Sequence, residues 1–459
     1  MKRNIIIFLF TFILTLVTGL KAQEDTINLN VYILGYVSSN VKFTPMSKPA
    51  EKTMKSYYNN YFTVKGMNYI DYSAEGYWTT DSHVSVDRLY DDNVRDVAIN
   101  VIVYQNTKNS TSIYKDANFT PQDAPVVDII NYAHSKGMRV FLKVMVNSKD
   151  GAPRTTFTPS NTDTWFASYK SIMTQYARMA RTNNIEMFSV GCELKTLSGN
   201  SYLSKWTDII SAINNIYSTG DLIYCANWDE YDDVPFWNQL DYIGIDAYFP
   251  LESSADPTYT QISNAWRSYS GTYGTHNWVD EVDTFRASQG KEVIFTEIGY
   301  RSADYAAKEP WKEGTEINLN LQVRCYEAAM KVWEPFSWFK GLYLWDWSTR
   351  LIGIVGDNHH FEYDHIGWTH ETYYENQGCT NVARSMDQAH AGNYSLQMDY
   401  HLVWNDPHYA SGMAYWDLGE ENLRGQTISA WFYCPTGSAG TAANKNGVTI
   451  FCKDSSWGW

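Results

Sequence analysis

The sequence predicts an α/β protein, a (β/α)8 TIM barrel followed by a partial all-β sandwich of the jelly-roll kind. Two observations predict this architecture. Up to about residue 374, eight short apolar strands alternate with helical stretches, as expected of parallel βα units that close into a barrel. After about Glu375 the helical periodicity stops, and alternating strands are separated by Gly, Asn and Pro turns.

The chain has 459 residues, which is enough for two or three domains. We expect four segments, at residues 1–22 (a signal peptide), 23–64 (an N-terminal extension), 65–374 (the barrel) and 375–459 (the β-sandwich). The chain ends at Trp459 directly after a predicted strand, so we expect the sandwich to be truncated.

The first residues have the pattern of a secretory signal. Lys2 and Arg3 precede an apolar run from Ile5 to Leu20, and cleavage is expected before Gln23. A membrane anchor is the alternative interpretation of this run, but no further stretch is long and apolar enough to span a bilayer. We therefore expect an exported protein, secreted or periplasmic, with no membrane partner once the signal is removed.

The barrel elements follow in order along the chain. The predicted strands cover residues 66–70, 96–104, 138–146, 185–190, 222–226, 240–247, 293–297 and 341–344. The predicted helical stretches cover residues 82–92, 129–136, 163–183, 203–217, 258–289 and 319–332. The most regular helix, 163–183, carries large apolar side chains at helical spacing, and Gly137 is expected to cap the helix that ends at Lys136.

Polar and aromatic residues follow many of these strands. They are Tyr72, Tyr104, Glu193, Asn227, Trp228, Tyr248, Glu297 and Trp345. Because active sites of such barrels lie at the C-terminal ends of the strands, we expect these side chains to converge. Asn227 and Trp228 could equally be core and cap residues, and Tyr104 an ordinary strand end. Asp246 is expected to be structural, inside or beneath the barrel.

Glu193 and Glu297 both end apolar strands, the fourth and the seventh. A charge at the end of a buried strand is costly unless it is paired or used. Two carboxyl groups on one barrel face suit glycosidic bond cleavage, in which one donates a proton and the other attacks carbon or activates water. The alternative is a pair of unrelated surface charges.

Composition excludes several other classes. The net charge of −15 and the lack of a basic patch argue against a nucleic-acid partner. The six cysteines show no zinc spacing, and His359, His360 and His365 fit a solvated loop better than a metal site, so we expect no metal and no cofactor. The 18 Trp and 35 Tyr supply flat faces that can pack on sugar rings, although a large core would also explain them.

Four segments resemble the β-mannanases of glycoside hydrolase family 113, in clan A. They are residues 189–194, 226–229, 240–251 and 294–301, and they lie within the barrel. The resemblance implies a retaining, double-displacement cleavage of β-1,4-mannosidic bonds, with Glu193 as acid/base and Glu297 as nucleophile. It also implies that Tyr248 lies against the nucleophile and that Trp345 forms an aromatic platform under the sugar.

One position departs from the wider clan. Many clan A enzymes have asparagine before the acid/base, bonded to the sugar 2-hydroxyl, where this chain has Cys192. That contact must come from elsewhere, and Asn227 is a candidate. Two alternatives therefore stay open: another retaining β-glycanase or β-glycosidase of clan A, or a non-catalytic polysaccharide-binding barrel.

The C-terminal segment resembles a carbohydrate-binding module. Trp404, Trp416 and Trp431 could stack on polysaccharide, although a place in a sandwich core fits each of them equally well. Polysaccharide, as a β-mannan or related β-glycan, is thus the expected partner of the whole chain.

Overall fold

The structure is a computed structural model that describes residues 42–46, 48–312, 314 and 316–349 in full. Outside these ranges it describes the backbone of eight strands only. The chain divides into two compact units, Asn40–Ile352 and a second unit formed by Met1–Ser39 with Gly353–Trp459.

The unit Asn40–Ile352 contains a closed parallel barrel of eight strands in sequential order, which confirms the predicted (β/α)8 fold of this part. The strands are β1 (Val64–Ile70), β2 (Asp96–Gln105), β3 (Arg139–Ser148), β4 (Met187–Cys192), β5 (Asp221–Asn227), β6 (Tyr242–Asp246), β7 (Glu292–Ile298) and β8 (Phe339–Ser348). The barrel closes where β8 pairs with β1.

Helices surround the strands in the described part of this unit. They are α1 (Pro49–Asn60), α2 (Thr80–Asp91), α3 (Asp123–Ser135), α4 (Thr162–Thr182), α5 (Lys195–Ser198), α6 (Leu203–Asn214), α7 (Tyr259–Ala265), α8 (Trp278–Gln289) and α9 (Leu319–Trp333). Single 3-10 turns cover Gly76–Trp78, Arg154–Thr156, Asn200–Tyr202 and Trp237–Gln239.

Helix α4 has a capped first turn and a buried apolar face. The Asn161 side chain accepts a hydrogen bond from the Thr164 backbone and so caps the first turn. Trp165 and Tyr169, one turn apart, are buried and stack with ring centroids 5.0 Å apart. The amphipathic spacing therefore places this face of the helix against the strands, as predicted.

The region 258–289 differs from the single helical stretch that its sequence predicts. Helices α7 and α8 are separated by a β-hairpin, whose strands Tyr269–Gly271 and Gly274–His276 pair antiparallel. Gly274 has φ of +108°, a backbone conformation that side chains other than hydrogen rarely allow. Tyr273 lies at the tip of this hairpin, between its two strands.

Large side chains fill the barrel interior. Phe141 of β3 and Tyr343 of β8 are buried with ring centroids 5.3 Å apart. Toward the C-terminal ends of the strands the interior becomes polar. The buried Asn68 side-chain amide donates a hydrogen bond to the Thr296 carbonyl at 3.0 Å and accepts one from the Asn100 side-chain amide at 3.3 Å. The barrel is thus a packed core with a polar upper end.

The other unit contains one eight-stranded antiparallel sheet. In spatial order its strands are Ala430–Tyr433, Asp25–Tyr36, Ser395–Trp404, Gln377–Ser385, Trp368–Tyr373, Ala410–Asp417, Asn4–Phe12 and Asn446–Asp454. The predicted sandwich arrangement stays a prediction. The side chains of Trp404, Trp416 and Trp431, and the whole of His359, His360 and His365, lie outside the described residues.

Cleavage before Gln23 also stays a prediction, and the mass of the exported protein is its check. None of the helices in the described ranges combines the length and the apolar character that a membrane crossing requires.

Candidate active site

A cavity of about 670 Å³ lies at the C-terminal ends of the barrel strands. It is lined by Phe43, Asn147, Ser148, Gly151, Ala152, Pro153, Arg154, Thr155, Glu193, Asn227, Trp228, Asp229, Tyr248, Tyr273, Glu297, Trp311 and Trp345. The structure therefore brings together both strand-end glutamates and four of the other six predicted site residues.

Tyr72 and Tyr104 lie outside this lining. Tyr72 follows β1 and is half exposed. Tyr104, near the end of β2, is buried; its backbone pairs with that of Tyr114, and the Lys149 ammonium lies 4.2 Å from its ring centroid. These contacts give Tyr104 a structural place at the barrel rim.

Glu193 is held in an unusual backbone conformation directly after β4. Its φ is +51°, in the left-handed region, which costs a residue with a side chain about 1–3 kcal/mol. Its backbone N–H donates to the Cys225 carbonyl at 2.8 Å, and the next N–H, of Leu194, donates to the Tyr224 hydroxyl at 2.8 Å. Tyr224 in turn donates to the buried Glu230 carboxyl at 2.6 Å. These bonds fix the sharp turn that points Glu193 into the cavity.

Burial dominates the electrostatics of Glu193. It raises the pKa of this carboxyl to about 7, with a further contribution from the nearby charge of Glu297. The Arg154 guanidinium opposes the shift, because its Nη1 donates to Glu193 Oε2 at 3.0 Å. Arg154 itself follows β3 and is fixed by donation from Nη2 to the Asn147 side chain at 2.7 Å. Glu193 therefore retains a proton close to neutral pH.

Glu297 has a different environment although it is more deeply buried, with 4% of its surface exposed. The Lys143 ammonium donates to its Oε1 at 2.5 Å, and the Tyr248 hydroxyl donates to its Oε2 at 2.7 Å. Burial and the Glu297 charge raise the pKa of Tyr248 well above its usual value, so the phenol keeps the proton that it donates. Both oxygens of Glu297 thus accept hydrogen bonds, which fix the orientation of the carboxyl group.

Lys143 also reaches a second carboxyl group beneath Glu297. Its Nζ lies 3.3 Å from Oδ1 of Asp246, and the same oxygen accepts a hydrogen bond from the Thr296 hydroxyl at 2.7 Å. The other oxygen, Oδ2, accepts from the Cys192 thiol at 3.4 Å. Asp246 is fully buried, in agreement with its expected structural place. Cys192, Asp246 and Glu297 place potential ligand atoms within 4.8 Å of one another, but the ammonium group already supplies a positive charge to two of them.

An aromatic wall, which we define as Trp228, Tyr273 and Trp311, forms one side of the cavity. Trp228 and Trp311 stack with ring centroids 5.4 Å apart and planes inclined by 18°. Tyr273 meets both edge-on, at 5.5 Å and 5.7 Å, and its hydroxyl donates to Glu309 at 2.6 Å. Such flat, partly polar surfaces suit sugar rings.

Phe43 and Trp345 also line the cavity. Trp345 lies within β8, which continues to Ser348, and its peptide bond to Asp346 is cis. Phe43 comes from the segment before α1; its ring lies 6.2 Å from that of Tyr248, and its carbonyl accepts from the Gln322 amide at 2.8 Å. The segment before the barrel therefore contributes to the site.

Sequence reasoning missed Phe43, Lys143, Arg154, Tyr273 and Trp311. For Lys143 a signal existed, since it is the one charge within the apolar run 140–146 and a buried charge requires a partner. Tyr273 lies between Gly271 and Gly274, a turn pattern inside the region predicted as helical. The other three lie in loops, where hydrophobic periodicity carries no information.

The arrangement provides one carboxyl whose pKa is raised to about 7 and a second carboxyl that accepts a hydrogen bond at each oxygen. Both lie in one cavity that also presents aromatic faces. Together these groups can donate a proton to a leaving oxygen and attack or hydrate the carbon left behind. A ligand with ring-shaped, hydroxylated units would satisfy both the polar groups and the aromatic wall.

Comparisons with known proteins agree with this chemistry. The model of Glycoside Hydrolase Family 113 matches residues 67–367. A solved GH113 β-1,4-mannanase complex is 25% identical, with a TM-score of 0.55, and the match covers 65% of this chain and 90% of that one. The GH113 β-mannanase of Alicyclobacillus acidocaldarius in complex with ManMIm is also 25% identical, with a TM-score of 0.55 and coverage of 64% and 89%. No curated protein matches the chain.

Proposed function

Because the chain belongs to glycoside hydrolase family 113, we propose that it is an endo-β-1,4-mannanase that cleaves mannan-type polysaccharides with retention of configuration. One observation carries the proposal. Two carboxyl groups line the same cavity in opposite electrostatic environments, Glu193 protonated by burial and Glu297 held by two hydrogen-bond donors. The two similar solved structures are GH113 β-mannanases, which supports the sugar class.

In the first step Glu193 donates its proton to the glycosidic oxygen as the bond from that oxygen to the anomeric carbon breaks. Glu297 attacks the same carbon and forms a glycosyl ester, so its negative charge is consumed. Lys143 and Tyr248 hold Glu297 in place for this attack. The released sugar chain then leaves the cavity.

In the second step the roles of Glu193 reverse. Now ionised, it takes a proton from a water molecule, whose oxygen attacks the anomeric carbon and releases Glu297 as a carboxylate. Its pKa near 7 suits both duties, because either protonation state is accessible near neutral pH. Two displacements at one carbon give overall retention.

Product analysis of the full chain tests this proposal. We expect short manno-oligosaccharides from mannan and glucomannan, released first as the β-anomer by NMR, and none from cellulose or xylan. Glu193→Gln and Glu297→Gln should each lower turnover roughly 100-fold or more. Glu334→Gln is the matched control, since Glu334 follows α9, pairs with Lys331 and lies outside the cavity lining.

Other outcomes separate the alternatives. Products from xylan or cellulose that require both glutamates would keep the catalytic pair and replace the mannanase assignment with another β-glycanase. Binding without products, in the unmodified chain and in both variants, would indicate a polysaccharide-binding barrel.

A further inference from the structure

Lys143 lies in the middle of the barrel core and does not itself react in either displacement step. Lys143 is on β3, its side chain has no exposed surface, and its ammonium lies between Asp246 of β6 and Glu297 of β7. A buried ammonium is costly, so a fold retains one where it is paired. Here it faces two carboxyl groups rather than one.

The distances distinguish the two carboxyl groups. Nζ is 2.5 Å from Glu297 and 3.3 Å from Asp246, so the closer and more direct pair is the one with Glu297. Burial, with the nearby Glu297 charge, raises the pKa of Asp246 well above its usual range, which favours its neutral form. The nearby carboxyl groups raise the pKa of Lys143 although burial opposes this, so the ammonium stays charged.

We propose, on the basis of the proposed function, that Lys143 is a positioning residue that keeps Glu297 ionised and aimed at the anomeric carbon. Asp246 supports the ammonium from below, because its Oδ1 lies 3.3 Å from Nζ. The catalytic groups remain Glu193 and Glu297, because Lys143 acts through Glu297.

Other titratable groups also face the ion pair of Lys143 and Glu297 and contribute to the electrostatic environment of the two residues. They are Glu193, Arg154, Tyr248, Cys192, Cys225 and Asp346. The charge of Glu297 also acts on Tyr72 at the rim. Among these groups only Arg154 is a cation, and it bonds directly to Glu193 rather than Glu297. Lys143 is therefore the positive charge in contact with the nucleophile.

The test measures the titration of Glu297 in the full chain, labelled with 13C at the glutamate carboxyl carbons. Glu297→Gln identifies its signal. In Lys143→Met we expect the midpoint to rise by about one pH unit or more, and in Lys143→Arg, which keeps the charge, to rise less. The acidic limb of kcat/KM should move with the midpoint, because it reports ionisation of the nucleophile in the free enzyme.

Arg88→Met is the matched control. Arg88 also forms a buried ion pair, with Glu51 at 2.7 Å, but on helix α2 and outside the cavity lining. A merely structural lysine would behave like this control, with a lower melting temperature and an unchanged midpoint, and that result would overturn the proposal. If Lys143→Met does not fold, the same titration is measured in the double variant Lys143→Met with Asp246→Asn. The second substitution removes the carboxyl group that would otherwise lose its cationic partner.

The titration of Glu297 can be measured whether or not the chain is a mannanase. The NMR midpoint needs no turnover, so an unmodified chain that cleaves no polysaccharide would overturn the mannanase assignment, while the titration would still decide the role of Lys143. Conversely, mannan cleavage with an unchanged Glu297 midpoint in Lys143→Met would overturn only the positioning role.

Discussion

Glu193 and Glu297 line the same cavity but have different hydrogen-bond partners. Glu297 is the more buried of the two, yet it accepts hydrogen bonds at both oxygens from Lys143 and Tyr248. Glu193 has a side chain that is 18% exposed and a single basic partner, Arg154. Desolvation raises the pKa of Glu193, and the opposing charge of Arg154 does not cancel that rise.

This difference predicts a selective effect of Arg154 on the basic limb of the pH profile. Glu193 acts as an acid, so activity falls as pH rises through its pKa of about 7. Arg154 lowers that pKa, and Arg154→Gln should therefore raise it and shift the basic limb of kcat/KM upwards by about one pH unit or more. Steady-state rates on a soluble manno-oligosaccharide across pH measure this shift.

Arg154→Lys is the control, since it keeps a positive charge near Glu193. Its basic limb should stay close to that of the unmodified chain, even if KM rises because the side chain lines the cavity. A basic limb in the same place for Arg154→Gln would contradict the assignment of Glu193 as the acid.

Single residues also show where sequence reasoning succeeds. Glu193 and Glu297 could be predicted because each ends an apolar strand, and a barrel gathers strand ends on one face. Their ionic partners could not be predicted, because Lys143 and Arg154 come from a different strand and from the segment after it. Such partners lie 154 and 39 residues away in sequence and have no fixed spacing.

At the scale of elements, the aromatic wall combines three unrelated segments. Trp228 follows β5, Tyr273 lies at the tip of the hairpin between α7 and α8, and Trp311 lies in the loop between β7 and α9. The strands fix the catalytic pair, and the loops shape the surface next to it. We expect this wall to contact sugar units adjacent to the bond that is cleaved.

This arrangement predicts that Trp311→Ala weakens binding of long substrates. An aromatic ring pair contributes about 0.5–1.5 kcal/mol, and a lost sugar contact of the same order would raise KM about two- to tenfold. The effect should appear with long manno-oligosaccharides and be small for the shortest cleavable one, with kcat nearly unchanged. Rates as a function of oligosaccharide length measure it.

Trp338→Ala provides the comparison, because Trp338 precedes β8 at the opposite end of the barrel and packs on Phe336 at 5.0 Å. It should change thermal stability without any dependence of KM on chain length. Equal KM changes for long and short substrates in Trp311→Ala would count against a sugar-binding wall.

The elements differ in how well local sequence predicts them. All eight barrel strands could be predicted because each is a short apolar run between polar helical stretches. The hairpin could not be recognised from periodicity, since polar residues surround it on both sides and only Gly271 and Gly274 mark its turn. The sequence therefore predicts Trp228 as a site residue but does not predict that Tyr273 and Trp311 join it in an aromatic wall.

At the scale of the whole molecule, the unit Asn40–Ile352 has its own core and its own complete cavity. The family match at residues 67–367 lies almost wholly on this unit. The segment before β1 belongs to it as well, since α1 buries Met54 and Tyr58 and Phe43 reaches the cavity. We expect the minimal catalytic piece to begin before this segment rather than at β1.

A fragment of residues 40–367 should therefore fold and hydrolyse soluble manno-oligosaccharides at the rate of the full chain. If the antiparallel strands of the other unit form a carbohydrate-binding module, the fragment should lose retention on insoluble mannan and act on it several times more slowly. Sedimentation with mannan and rates on soluble and insoluble substrate measure the two effects.

The fragment with Glu297→Gln reports binding without hydrolysis. Equal sedimentation of fragment and full chain would remove the binding role of the tail, whereas an unfolded fragment would show that the barrel unit is not self-sufficient.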